Sequence, residues 1–562
     1  MQTPLEKPFL YYFPFPSEGK RIKGIGAPSL LCPRQSCCNI KAMSGKKERP
    51  APSQGRADYF SGGKLAGEKG TVIKDWGGRY PFALIYPNTY SVGMSNLGVQ
   101  AIYRLLNDRS DAVCERVFWE ADGKPLLSLE SSRPMMDYAC LAFSFSYELD
   151  YLNLANIMRA AGIPLYARDR GESHPLLIAG GPCITANPMP VSLFSDVFCI
   201  GEAEVILPSI LPILVGDNSR EEKLKHLSVL PGVYVPAFHD GHEIARQWLA
   251  NLDEFPVHSA VLTHDTELGD LYLIEVERGC SASCSFCLVS RAFCPLRFHS
   301  LASLCDQARE GLRYRKRIGL VGPVVTDHPQ IEELLSGILD MGAGFSLSSL
   351  RLKKLSPRVL ELVIKGGAHS LALAHEAGSE RLRKTIRKGF TEDDIMQAVG
   401  RVAQQPFKQL KLYFMLGLPT ETDEDIEEII TLALKCQSLL DIAQRGCRLT
   451  LNVAPFVPKA GTAFQRLGMA DQVALEERIT RLKDCLSGEG VEVKAESPEW
   501  SHVQAALSRG DAGTAAVLAD MDKVSLAAWR RAVKKAGVNL DYFVLENWSR
   551  NEKLPWGMID LG

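Results

Sequence analysis

Six times between residues 271 and 464, an apolar run of strand length ends in small or polar residues and gives way to a helix-length stretch. That rhythm leaves few folds open. Strands followed by helical crossovers lie parallel, and their ligands gather at the strand carboxyl ends. The first run, residues 271–274, passes through Gly279 into Cys280-Ser-Ala-Ser-Cys284-Ser-Phe286-Cys287. Three thiolates at Cys-x3-Cys-x2-Cys spacing on one loop can hold three irons of a 4Fe-4S cube. The fourth iron then has no protein ligand. An open iron is what a cluster needs to act on a bound molecule, as distinct from passing electrons between four-cysteine clusters.

Two plainer readings also fit. Structural zinc wants four ligands, usually as two close pairs; Cys294 would be the fourth here, and no second pair lies downstream. Buried thiols without any ligand are common as well. The spacing at the end of a first strand, with Phe286 inside the last Cys-x-x-Cys, resembles the signature of the radical S-adenosylmethionine (SAM) superfamily. The resemblance implies that Cys280, Cys284 and Cys287 hold the cluster and that its open iron chelates SAM. One electron, from a donor such as flavodoxin or ferredoxin, then cleaves SAM to a 5′-deoxyadenosyl radical. It further implies that Phe286 packs on the adenine and that Glu376 and Ser379 meet the ribose. Arg387 or Lys388 would meet the methionine carboxylate. The Gly417-Leu-Pro419-Thr-Glu-Thr loop would shape the adenine side, Gly322 would stand where small residues meet the SAM amino group, and Ser348 would also belong to the cofactor site. The usual Gly-Gly-Glu is absent; Gly322-Pro323-Val324 stands in its place. Glu376 and Glu380 also have a plain reading, since acids are favoured at helix starts, and His375 reads as packed or solvent-facing. Thr422 with Asp425 has the form of a capping box.

Upstream, residues 82–86, 137–144, 175–180 and 197–201 read as strands, with a helix at 99–107 and another at 151–161 closed by Gly162. Strands ending in Ser144, in Gly180-Gly181-Pro182 and in Gly201-Glu202 form a doubly wound pattern. It resembles the cobalamin-binding-type domain that precedes the barrel in one large subgroup of the superfamily. Small residues at Ser144, Gly180, Gly181 and Gly201 would let a large flat ring lie close to the backbone. The Asp-x-His-x-x-Gly motif that supplies a cobalt-ligating histidine is missing, and residues 82–201 contain one histidine, His174. The resemblance thus implies histidine-off cobalamin binding, or a domain that kept the fold and lost the ligand.

The predicted architecture is α/β: an N-terminal doubly wound, Rossmann-like domain at 61–215, a linker at 216–268, a partial (β/α)6 TIM-like barrel at 269–465, and a small C-terminal α/β cap at 466–562. Residues 1–60 show no sustained period, and Met43, followed by a polar stretch, is an alternative start. The net charge of −2 gives no global attraction to nucleic acid or membrane. The longest apolar region, 206–215, is short and carries Pro208 and Pro212, so no membrane span is expected. Fifteen scattered cysteines without a signal peptide suit a reducing cytosol, hence a cytoplasmic enzyme. Two alternatives stay open. A methylthiotransferase-like, RNA-modifying enzyme would want a second cluster, for example from Cys114, Cys140 and Cys183. A nonenzymatic iron-sulfur redox sensor would not cleave SAM. The substrate is not legible from the residues.

Overall fold

The computed structural model describes residues 63–121 and 123–562; the alternative start at Met43 and the unorganised stretch 1–60 lie outside them. Strands β1 (Tyr80–Tyr86), β2 (Ala112–Phe118), β3 (Cys140–Ser144), β4 (Leu176–Gly180), β5 (Val197–Cys199) and β6 (Val233–Tyr234) form one sheet in the order β2-β1-β3-β4-β5-β6. All its pairings are parallel except β5 with β6. The order reverses at β1, so the crevice beside β1 and β3 is the topological switch point where such sheets bind ligands. The helices at Leu97–Asn107 and Tyr151–Ala161 form as expected, the second ending on Gly162 in the left-handed conformation.

Strand β2 is an element the sequence reading did not include. Glu115 and Arg116 interrupt its apolar run, yet both are buried. Arg116 is held between Glu68 at 2.6 Å and Glu130 at 2.7 Å. Glu115 accepts hydrogen bonds from Trp76 at 2.8 Å, Ser128 at 2.6 Å and Tyr138 at 2.5 Å. Charges enter a strand core when every one is paired, which hydropathy alone does not reveal. The sheet also runs past residue 215, because β6 comes from the stretch read as a linker. The rest of that stretch is tied down too: β7 (Ile244–Ala245) pairs with the C-terminal β17 (Ile559–Asp560). The apolar region with Pro208 and Pro212 is a 13-residue helix, Ala203–Val215. Among the described residues no helix is long and apolar enough to cross a membrane.

The second half starts with β8 (Tyr272–Glu275), a short antiparallel pair β9 (Glu277–Arg278) and β10 (Arg297–Phe298), then β11 (Arg317–Val321) and β12 (Gly344–Leu347). Strands β8, β11 and β12 form a parallel trio. Strands β13 (Ser370–Glu376), β14 (Gln409–Leu416), β15 (Arg448–Pro455) and β16 (Glu492–Ala495) form a parallel quartet. The six expected barrel strands are therefore present, in two hydrogen-bonded groups that part between β12 and β13. Strand β16, read as part of a separate cap, extends the barrel sheet. A helix, Gln472–Ser487, leads into β16, and helices Pro498–Arg509 and Thr514–Ala519 follow it.

A backbone contact at one glycine ties the first sheet to the stretch that follows it. Gly201 has φ +126°, and a Cβ there would lie 2.1 Å from the Gln247 carbonyl oxygen. Gly162 is equally left-handed but faces open space. Gly162→Ala is expected to cost about 1 kcal/mol from backbone strain alone. Gly201→Ala is expected to cost roughly 2–4 kcal/mol, because strain and a backbone clash add. Urea midpoints of the two variants at constant m-value measure the difference.

Candidate functional site

The cysteine loop is anchored before it is filled. Gly279, at φ +91°, lets it press against the Phe293 and Pro295 carbonyls, where a Cβ would sit 2.4 and 2.6 Å away. The Ser285 N–H donates to the Ile386 carbonyl at 3.0 Å, and the Phe464 N–H donates to the Ser285 carbonyl at 3.1 Å. The loop thus spans from β8 to the ends of β13 and β15. Phe286 packs on a small apolar cluster of Ala377, Leu382, Ile386, Met415, Leu418 and Phe456. The Lys388 ammonium lies 5.9 Å from the Phe286 ring centroid and 3.0 Å from Glu376 Oε1. Cys280, Cys284, Cys287, Phe286, Glu376 and Lys388 are therefore one constellation, assembled from the first and fourth strands.

Burial raises all three thiols above their ordinary range, Cys287 to about 11, while Lys388 works against the rise at each of them. The Ala282 N–H donates to Cys280 Sγ at 3.4 Å. Arg351 lies near Cys280 and Cys284, donates to Ser281 Oγ at 3.3 Å and pairs with Asp327. Cations and an amide aimed at sulfur suit thiolate ligands. One tetrahedral zinc, with bonds of about 2.3 Å, would draw its sulfurs within about 4 Å of one another. Among the described residues, three such donor atoms lie within 4.8 Å of one another at His239, Asp240 and His242; the cysteine trio is not gathered that tightly. Cys294 is exposed. Three thiols on one loop, spread wider than one tetrahedral ion draws its ligands together, fit a multi-iron cluster. Cys114, Cys140 and Cys183 are buried and do not form such a group either.

Glu376 sits at a register break in β13 with φ +67°, a conformation that non-glycine residues rarely adopt. The other expected SAM neighbours divide. Ser379 caps the helix Glu380–Thr385, accepting from the Leu382 N–H at 3.1 Å and donating to Asp425 at 2.5 Å. Its hydroxyl is thus already engaged. The Ser348 hydroxyl is likewise tied to Gly322, donating to its carbonyl at 2.7 Å and accepting from its N–H at 3.0 Å. Gly322 itself is shielded by a protein carboxylate: a Cβ there would meet Glu277 Oε1 at 2.1 Å. Gly417 turns at φ +77° against Ala470 and Leu475, and its N–H donates to Glu421 at 2.7 Å. Pro419 is half-buried at the same turn. His375 is fully buried against Phe414, with both ring nitrogens unpartnered; burial lowers it to about 3, so it is a neutral packing residue. The Thr422–Asp425 capping box is present.

A cavity of about 1690 Å³ lies between the first sheet and the barrel. Pockets for ordinary small molecules run from about 300 to 1,000 Å³. Its walls include Tyr86, Ser144, Gly181 and Gly201 at the carboxyl ends of the first sheet, and Glu277, Gly279 and Gly322 from the barrel. Gly180 does not line it. The close approaches at Gly181 and Gly201 are to protein, the Phe145 and Gln247 carbonyls, so their lack of a side chain answers to backbone packing. No histidine lines the cavity, and ten of its lining side chains are Asp or Glu against four Lys or Arg. Trp500 is part of the wall, while Trp556 is buried and donates to Gln465 at 2.8 Å. Burial pushes Asp150 and Glu496, both on the wall, up to about 7.

Residues 274–433 match the family model of the radical SAM superfamily, and residues 98–236 match a model described as the N-terminal region of radical SAM proteins. An uncharacterized protein of Methanocaldococcus jannaschii is 30% identical over 435 residues, 76% of this chain and 88% of its own length. The chain belongs to the radical SAM superfamily. Members of this superfamily are enzymes that use a 4Fe-4S cluster and SAM. A tRNA-2-methylthio-N(6)-dimethylallyladenosine synthase of Dehalococcoides mccartyi is 26% identical over 223 residues, 37% of this chain and 51% of the synthase. Among solved structures, the cobalamin-dependent SAM radical enzyme OxsB is 15% identical with a TM-score of 0.49, over 72% of this chain and 62% of that one. The chain thus spans about half the synthase and under two thirds of OxsB.

Asp150 gives this enzyme a testable pH signature. Its folded pKa lies above the unfolded value, so its stabilising contribution is full below about pH 4 and fades as pH rises toward 7. Asp150→Asn keeps an acceptor for the Asn88 side chain, which donates at 2.9 Å. The variant is expected to exceed the parent in stability at pH 8 by on the order of 1 kcal/mol or more, with the gap narrowing as pH falls. Urea melts across pH 5.5–8 measure it.

Proposed function

We propose that this enzyme is a cobalamin-dependent radical SAM methyltransferase. The cavity carries the reading: it opens at the switch point of a doubly wound sheet, exceeds ordinary pocket size, and reaches Gly279, the residue before Cys280. In this reading Cys280, Cys284 and Cys287 hold the cluster, and SAM lies over Phe286 with Glu376 and Lys388 beside it. Cobalamin occupies the cavity without a histidine ligand, against Ser144, Gly181 and Gly201. When bound, the cluster supplies the electron that cleaves SAM, and cobalamin supplies a methyl group. The chain's own residues orient and exclude water. Lys388 places a positive charge beside the cysteine loop and pairs with Glu376, so the carboxylate is held at the strand end ready for a polar ligand. Asp150 and Glu496, held near neutrality, serve as hydrogen-bond donors to amide-rich cargo. A small acidic redox protein such as flavodoxin or ferredoxin is the expected reductant.

The synthase relative suggests a second reading, modification of RNA. The acidic cavity wall speaks against it, because nucleic-acid sites are built from cations that neutralise phosphates.

Anaerobic reconstitution tests the proposal. The expected result is about four irons per chain, bound cobalt, and reductant-dependent formation of 5′-deoxyadenosine. Cys280→Ala is expected to lose iron and cleavage together. Zinc in place of iron would overturn the radical reading, whereas cleavage without cobalamin affinity would remove the methyl-transfer half alone.

A further inference from the structure

The quartet β13–β16 turns one face to its helices and the other into the barrel lumen. The helix-side residues Leu371, Leu373, Leu410, Leu412, Leu449 and Leu451 are buried. The other face is read from the register. Ala372, Lys411, Thr450 and Glu492 share one row, and Ala374, Tyr413, Asn452 and Lys494 share the next. Packed barrels fill such rows with branched aliphatic side chains. Neither row here contains one.

Three side chains on this face carry donors that make no hydrogen bond within the protein. Asn452 is 6% exposed and its Nδ2 is unpartnered. The half-buried Lys411 ammonium takes part in no hydrogen bond or ion pair, and neither does the Tyr413 hydroxyl. The charged neighbours of Lys411 are Lys494 and Glu492. Glu492 is engaged elsewhere, accepting from Thr450 at 3.1 Å and facing Lys494 at 3.4 Å. Nearer the rim, Tyr413 has Glu376 and Glu496 as its charged neighbours; Glu376 is already paired with Lys388. A buried amide donor without a partner is costly, and so is a partly desolvated ammonium whose opposite charge is engaged elsewhere.

We propose that the lumen binds the anionic end of the substrate, a carboxylate or phosphate, through Lys411, Asn452 and Tyr413, with Lys494 at the open edge. The proposal rests on the reading of the barrel rim as the SAM site. One anionic group would satisfy the free amide and hydroxyl donors and would oppose both influences, burial and Lys494, that lower Lys411. Lys411 lies four residues below Met415 at the rim, about 13 Å along the strand. The substrate is therefore elongated, with its charge at one end and its reacting carbon near the other.

The test titrates reconstituted holoenzyme with inorganic phosphate and, separately, with succinate, by isothermal titration calorimetry. Saturable binding of at least one probe is expected; which one binds distinguishes phosphate from carboxylate substrates. Lys411→Met and Asn452→Leu are each expected to weaken it by about tenfold or more. Lys365→Met, on an outer helix where Lys365 pairs with Glu361, is expected to leave it unchanged. Absence of saturable binding, equal loss in Lys365→Met, or undiminished binding in both lumen variants overturns the proposal. If Lys411→Met does not fold by circular dichroism, Lys411→Gln takes its place. 5′-Deoxyadenosine formation is measured on the same samples. Cleavage without anion binding sinks this inference and leaves the radical reading intact, and binding without cleavage does the reverse.

Discussion

Arg278 holds the two halves of the enzyme in register. It sits two residues before Cys280, and its guanidinium donates to Glu202 and Glu204 from the end of the first sheet, each at 2.7 Å, and to Glu275 on β8 at 2.7 and 2.9 Å. Arg297 reaches the same Glu202 at 2.8 Å. Burial alone would raise Glu275, but Arg278 and His299 overcome it and hold it at about 2. Buried ion pairs contribute little net stability, yet breaking one is expected to cost about 3–5 kcal/mol because a charge is left behind. The arrangement therefore acts chiefly through geometry. It fixes the loop that carries the cysteines against the strand ends that wall the cavity.

Much of this was legible in the sequence, for physical reasons that differ by element. The helix Tyr151–Ala161 and its Gly162 end were visible because amphipathic period and a left-handed glycine are local signals. The cysteine loop was visible because ligand spacing is local too. Strand β2 was not, since Glu115 and Arg116 are buried by partners such as Glu68 and Glu130 that no local pattern connects to them. The roles expected of Ser348 and Ser379 were read from position at strand ends; the structure engages both hydroxyls with protein. Arg351 was missed as a neighbour of Cys280 because its approach depends on how β12 meets β8 through β11. The lumen donors had a faint signal, the alternation of Lys411 and Tyr413 with buried leucines and phenylalanine along β14, which a reading for apolar runs passes over.

The two polar spaces follow from one topological fact. A barrel sheet that parts between β12 and β13 and ends on the exposed β16 cannot be packed shut with aliphatic layers, so its inner face is free to carry polar groups. The doubly wound sheet, by contrast, is filled on both faces and offers ligands its carboxyl edge alone. Chemistry is thereby confined to the zone where that edge faces the barrel rim.

Glu376 carries a consequence for how such an enzyme can change. At φ +67° a glycine or asparagine would sit with less strain. A chain selected only for thermal robustness would discard the glutamate at this position early, and with it the carboxylate that Lys388 steadies. Laboratory evolution toward heat resistance should therefore run against the Glu376–Lys388 pair at this single residue, and lineages that keep glutamate here must recover the lost stability elsewhere in the fold.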